Sequence, residues 1–106
     1  MILSNSPVVV NNKSEVVKVL KDNLDNFKKF GVTEVGLFGS FVRDEATESS
    51  NVDLLVTLIN HDYFNFCRLI DFANSLFFNR SVEVISTGGI NEINGIYIGR
   101  EVEYVN

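Results

Sequence analysis

Tryptophan is absent from the chain, and cysteine, proline, histidine and methionine occur once each. A lone Cys67 cannot close an internal disulfide, so a reducing cytoplasm is the expected compartment. One proline and no low-complexity tract leave no linker, and 106 residues suit one domain, so a single domain over 1–106 is expected. The start lacks a basic segment and a long apolar run, and no such run follows, so neither a signal peptide nor a membrane span is read. Cations are scarce too: 9 Lys and Arg stand against 14 Asp and Glu, a formal net charge of −5. Gripping a long nucleic acid depends on Lys and Arg neutralising phosphates, so direct binding of one is not expected. A single nucleotide held through a metal, or a basic protein partner, stays open.

What the chain does have is apolar surface. Hydrophobic residues make up 45% of it, nine of them Phe, which is enough for a core. Val8-Val9-Val10 reads as an edge strand or a tail. Asn12 stands three residues before Glu15, as in a capping box, and Val16, Val17, Leu20, Leu24 and Phe27 follow at helical spacing. That pattern predicts one amphipathic helix over 13–29, closed by Gly31. Glu34 to Phe38 reads as a buried strand, Phe41 to Glu45 as a short helix, and Asn51 to Leu58 as a second strand. His61 to Asn79 reads as a long helix with Tyr63, Phe66, Leu69, Ile70, Ala73, Leu76 and Phe77 on its apolar face. A third strand over Ser81 to Ile85, a short helix around 90–98 and a last edge strand over 101–105 complete the order. Strands alternating with helices predict an α/β (α+β) domain, a small mixed sheet with helices packed on it.

Three groups of residues carry chemistry. Gly39-Ser40 ends a buried strand, where a glycine lets backbone approach a ligand and amide and hydroxyl groups suit phosphate oxygens. Arg43 lies one turn on and can reach the same anion. Taken alone, the pair reads first as a tight turn with a serine cap. Asn51 and Asp53 are two apart on a strand and share a face, a simple way to present oxygen ligands to a hard cation; alone, Asp53 reads first as solvated or capping a neighbour. Glu83 sits between Val82 and Val84, where a charge is costly to bury unless paired or metal-bound; at a sheet edge it would lie in water.

The spacing joins these groups. Gly39-Ser40, ten residues, then Asn51-Val52-Asp53, with Glu83 on a later strand, resembles the minimal nucleotidyltransferases of the DNA polymerase β-like superfamily. That family's mark is Gly-Ser, ten residues, then Asp-x-Asp. The resemblance implies a nucleotidyltransferase fold. It implies that Gly39, Ser40 and Arg43 bind ATP or another nucleoside triphosphate. It implies that the pair at 51 and 53 and the acid at 83 hold Mg2+ and carry catalysis, a nucleoside monophosphate passing to a hydroxyl as pyrophosphate leaves. Small members of this kind resemble antitoxins that pair with HEPN-type toxins, so a protein partner or a homo-oligomer is implied as well.

The chain also departs from the pattern. Asn51 replaces the first Asp and brings no charge, Glu83 is one methylene longer than the usual Asp, and Asp44 stands where Gly is frequent. The expectation is weak magnesium binding and impaired chemistry, which opens an alternative: a binding or regulatory subunit that kept the fold. His61 and Cys67 read as structural, and Thr87-Gly88-Gly89 as a turn. Phe64 and Phe78 fall off the apolar stripe and, with the edge at Val102-Glu103-Tyr104, are expected to face a partner.

Overall fold

The computed structural model describes residues 7–60, 62–87 and 101–106. Two helices come first, α1 at Lys13–Asp22 and α2 at Leu24–Lys29. Asn12 caps α1 by accepting from the Glu15 N–H at 3.0 Å. The reciprocal bond goes one residue further back than a capping box places it, Glu15 Oε1 accepting from Asn11 N–H at 2.8 Å. The single helix expected over 13–29 is broken at Asn23. There the side-chain amide donates to the Val19 carbonyl at 2.8 Å, and the backbone leaves helical geometry at φ −113°, ψ 10°. Asparagine competes for backbone partners in this way, and apolar periodicity does not register it.

The sheet has the order β3-β2-β1-β4, with β1 at Val32–Phe38, β2 at Val52–Leu58, β3 at Val82–Ser86 and β4 at Glu103–Tyr104. β1 runs antiparallel to β2 and to β4, while β2 and β3 are parallel. Parallel neighbours need a crossover, and α3 at Tyr63–Ser75 supplies it. Asp62 caps α3, accepting from Phe64 N–H and Asn65 N–H. His61, the helix expected around 90–98 and the Gly88-Gly89 pair lie outside the described residues.

The main core forms where one sheet face meets the helices, with Val35, Leu37, Leu54, Val56 and Val82 packed with Val16, Leu20, Phe27, Leu69 and Ala73. Fully burying each such aliphatic side chain contributes about 1.5–3 kcal/mol. Phe72 joins this core, stacked on Phe30 at 5.3 Å and edge-on to Phe27 at 5.2 Å between ring centroids. The other sheet face carries a smaller cluster of Phe38 and Leu55 with Ile85 and Val102. Tyr63, expected on the apolar face of α3, is instead 76% exposed, because the chain meets the core only from Phe66 onward. Val8 forms one isolated bridge to Phe77, so the first apolar patch is tied down without becoming a strand of the sheet.

Candidate active site

The site grows from strand register. Phe38 on β1 lies opposite Asp53 on β2, and Asp53 lies beside Glu83 on β3. Side chains alternate along a strand, so the row Phe38, Asp53, Glu83 faces the same side across three strands, away from the main core. β1 ends at this row, and Gly39 turns the chain with φ +80°. A Cβ on Gly39 would overlap Asp53 Oδ2 and lie 3.0 Å from Asp53 Cγ, so only glycine admits the carboxylate against this backbone.

Asn51 precedes β2 on the same side, its Nδ2 donating to Glu83 Oε1 at 3.5 Å. Asn51, Asp53 and Glu83 are thus brought together beside Gly39-Ser40. β3 ends the described sheet and Glu83 is exposed there, the edge-strand environment that keeps its charge hydrated. Among the described residues, no three Asp, Glu, His or Cys side chains are drawn close enough to enclose a metal ion by themselves.

Residues 40–44 form consecutive turns, not the short helix expected over 41–45. Glu45 N–H donates to the Ser40 carbonyl at 2.8 Å and Asp44 N–H to the Phe41 carbonyl at 3.0 Å. Asp44 holds φ 56°, the left-handed region that glycine enters freely, which gives a backbone reason for the glycine often found at this position. Its carboxylate accepts from Lys13 N–H at the start of α1, at 3.2 Å.

Two residues that contact the site's turns and loops escape a reading of the sequence. Glu101 lies just before β4, its side chain 16% exposed. Its Oε2 accepts from Gly39 N–H at 2.8 Å, and its Oε1 pairs with Arg43 Nη1. Arg80 is 8% exposed and donates to the carbonyls of Val10 and Ser50, both at 3.1 Å, and of Thr47. Its guanidinium lies 5.1 Å from the centre of the Phe41 ring. It therefore joins the turn after Ser40 to the loop before Asn51. No local pattern marks either residue, since their partners lie 30 to 70 positions away.

Asp53 sits in an unfavourable electrostatic position. Burial, then its contact with the Glu83 carboxyl and that group's charge, then the charge of Glu101, push the Asp53 carboxyl up to about 7, while Arg43 opposes the shift. Like charges gathered around a partly buried carboxylate favour either a proton or a cation between them.

A profile of the nucleotidyltransferase domain matches residues 15–102. The chain belongs to the nucleotidyltransferase family. Within that family it resembles a Methanocaldococcus jannaschii protein, MJ0128, provisionally assigned as a protein adenylyltransferase. The two are 32% identical over 92 residues, covering 85% of this chain and 90% of the relative. A shorter stretch of 29 residues is 62% identical to the protein adenylyltransferase MntA of Thermococcus cleftensis, covering 27% of this chain and 29% of that one. Solved folds agree. A minimal nucleotidyltransferase, so assigned provisionally, superposes with a TM-score of 0.76 at 24% identity, covering 88% of this chain and 95% of the other. A toxin–antitoxin crystal structure with AMP-PNP gives 0.65 at 16% identity, covering 91% and 73%. The complex of a tri-AMPylated Shewanella oneidensis HEPN toxin with its MNT antitoxin gives 0.56 at 16% identity, covering 90% and 69%. The nucleotidyltransferase family and fold expected from the Gly39 to Asp53 spacing are thereby established.

Proposed function

We propose that this nucleotidyltransferase domain binds ATP with magnesium and transfers AMP to a hydroxyl presented by a protein partner, a HEPN-type toxin whose antitoxin it is. The observation that carries the reading is the Asp53 carboxylate packed against Gly39, in register with Glu83. Relatives named as protein adenylyltransferases and neighbours solved with a HEPN toxin and with AMP-PNP support the substrate and partner.

The chain's own residues divide the work. Gly39 N–H, the Ser40 hydroxyl and Arg43 hold and orient the phosphates, which costs little because turn and strand fix two of the three. Asp53 and Glu83 present hard, anionic oxygens in one row. Magnesium is commonly held by one or two carboxylates with phosphate oxygens completing its shell, so these residues fit the ion. When bound, it would neutralise phosphate charge and stabilise in-line displacement. Glu83 accepts the proton of the acceptor hydroxyl, whose oxygen bonds to the α-phosphorus as pyrophosphate departs.

A second reading, a binding antitoxin without turnover, is favoured by one contact. Asn51 Nδ2 faces the Glu83 carboxylate, so this position offers an amide donor where a third carboxylate would offer charge. Calorimetry with ATP and magnesium tests the metal role of position 51. Asn51→Asp is expected to tighten magnesium-dependent ATP binding about tenfold, equivalent to ~1.4 kcal/mol. Equal affinity in both proteins would remove position 51 from the metal site.

A further inference from the structure

Two of the three groups assigned to the phosphates already have partners. Gly39 N–H is accepted by Glu101 Oε2 at 2.8 Å. Arg43 is paired twice, its Nη1 to Glu101 and its Nε to Glu45 Oε1 at 2.7 Å. One carboxylate therefore spans the backbone amide and the guanidinium, the two donors that would otherwise meet a phosphate. A carboxylate and a phosphate oxygen make the same kind of charge-assisted bond to such donors. An amide N–H has one hydrogen to give, so one strong acceptor holds it at a time.

The segment bearing Glu101 is anchored on its C-terminal side. Val102 sits on the face of β1 where Gly36 leaves room, since a Cβ there would overlap Val102 Cγ2. Glu103 and Tyr104 then pair with Leu37 and Gly36, and Glu103 is bound to Lys13 at 2.6 Å. Backbone pairing and a seated valine thus hold the residue beside Gly39, and rotation of its side chain is enough to free the donors.

We infer that Glu101 is an intramolecular plug: it occupies the phosphate subsite of Gly39 and Arg43, and a nucleotide must displace it to bind. This rests on the proposed phosphate role of Gly39 and Arg43. The affinity measured for ATP is then the intrinsic affinity reduced by competition with Glu101, a reduction that any event drawing this side chain away would lift.

Glu101→Gln tests the plug. Gln keeps the shape and an acceptor for Gly39 N–H, but gives up the charge that holds Arg43. Binding of tripolyphosphate, and of ATP with excess EDTA, would be followed by amide NMR of Gly39 and its neighbours. Divalent-ion effects are thereby excluded. Glu103→Gln controls for the loss of one nearby negative charge, and Glu101→Ala tests removal of the whole side chain. Thermal melts of each variant check folding. The expected result is roughly tenfold tighter binding of both probes by Glu101→Gln and by Glu101→Ala, with Glu103→Gln close to the unaltered protein. The Gly39 amide should shift on mutation and again with ligand. Equal or weaker binding by Glu101→Gln overturns the plug. The same holds if Glu103→Gln gains as much, since the effect is then general charge. Arg43→Met separates the two ideas: if it weakens binding while Glu101→Gln has no effect, the phosphate site stands and the plug falls. If Arg43→Met changes nothing, the phosphate assignment falls and the plug with it.

Discussion

Asp53 shows how a site is made at the expense of the fold. Its carboxyl is half-buried, set against Gly39 and flanked by Glu83 and Glu101, and it is pushed up to about 7. An unfolded aspartate titrates near 3.9, so the folded chain holds this proton more tightly than the unfolded one. Stability from this group is therefore fully present below about pH 4 and is lost as pH rises through about 7. In metal-free protein, the melting temperature is expected to fall across that window, and Asp53→Asn should flatten the fall and melt higher than the unaltered chain at pH 8. Denaturation in EDTA at a series of pH values measures this. A melting temperature for Asp53→Asn that tracks the unaltered protein at every pH would show that Asp53 is not strained. Proton and magnesium would compete for the same oxygens, so magnesium affinity should rise over the same range.

At the level of elements, strand alternation told most of the story. The phase of Asn51 to Leu58 and of Ser81 to Ile85 placed Asp53 and Glu83 on faces that the parallel pairing then aligned. Helix limits were less legible. Asn23 breaks the first helix through a side-chain bond to Val19, and the polar turn after Ser40 closes by backbone bonds without becoming helical. Long-range partners were not legible at all. Glu101 reaches Gly39 across 62 positions and Arg80 reaches Val10 across 70, and neither contact leaves a pattern in nearby residues. Arg80 also gives the element scale its prediction. It ties the carbonyls of Val10, Thr47 and Ser50 together under the Phe41 ring, so Arg80→Ala unmakes these buried and part-buried hydrogen bonds and removes packing. A loss of roughly 2–4 kcal/mol in urea denaturation is expected, from unmade hydrogen bonds and a cavity together. A change within about 0.5 kcal/mol, as for an ordinary surface residue, would show that the joint is not structural.

At the level of the whole molecule, two features point outward from the fold. The chain is acidic, with a formal net charge of −5, which favours encounter with a basic partner. Its exposed aromatics include Phe64 at 79% and Phe78 at 74%, the two side chains expected off the apolar stripe of the helix read over 61–79; α3 itself stops short of Phe78. Phe64 also meets Tyr63 edge-on at 6.1 Å between ring centroids, a pair that would bury well against another protein. The proposed activity is a transfer reaction between two proteins, from ATP on this domain to a hydroxyl of the partner. Its most direct test is incubation of the chain with magnesium, ATP labelled at the α-phosphate and any HEPN-type protein that co-purifies with it, followed by intact-mass analysis of that protein. The expected result is a gain of one or more AMP units on partner hydroxyls, abolished by Asp53→Asn and accelerated by Asn51→Asp. A partner that binds tightly yet stays unlabelled with every variant, Asn51→Asp included, would contradict transfer and leave a nucleotidyltransferase fold that acts by binding alone.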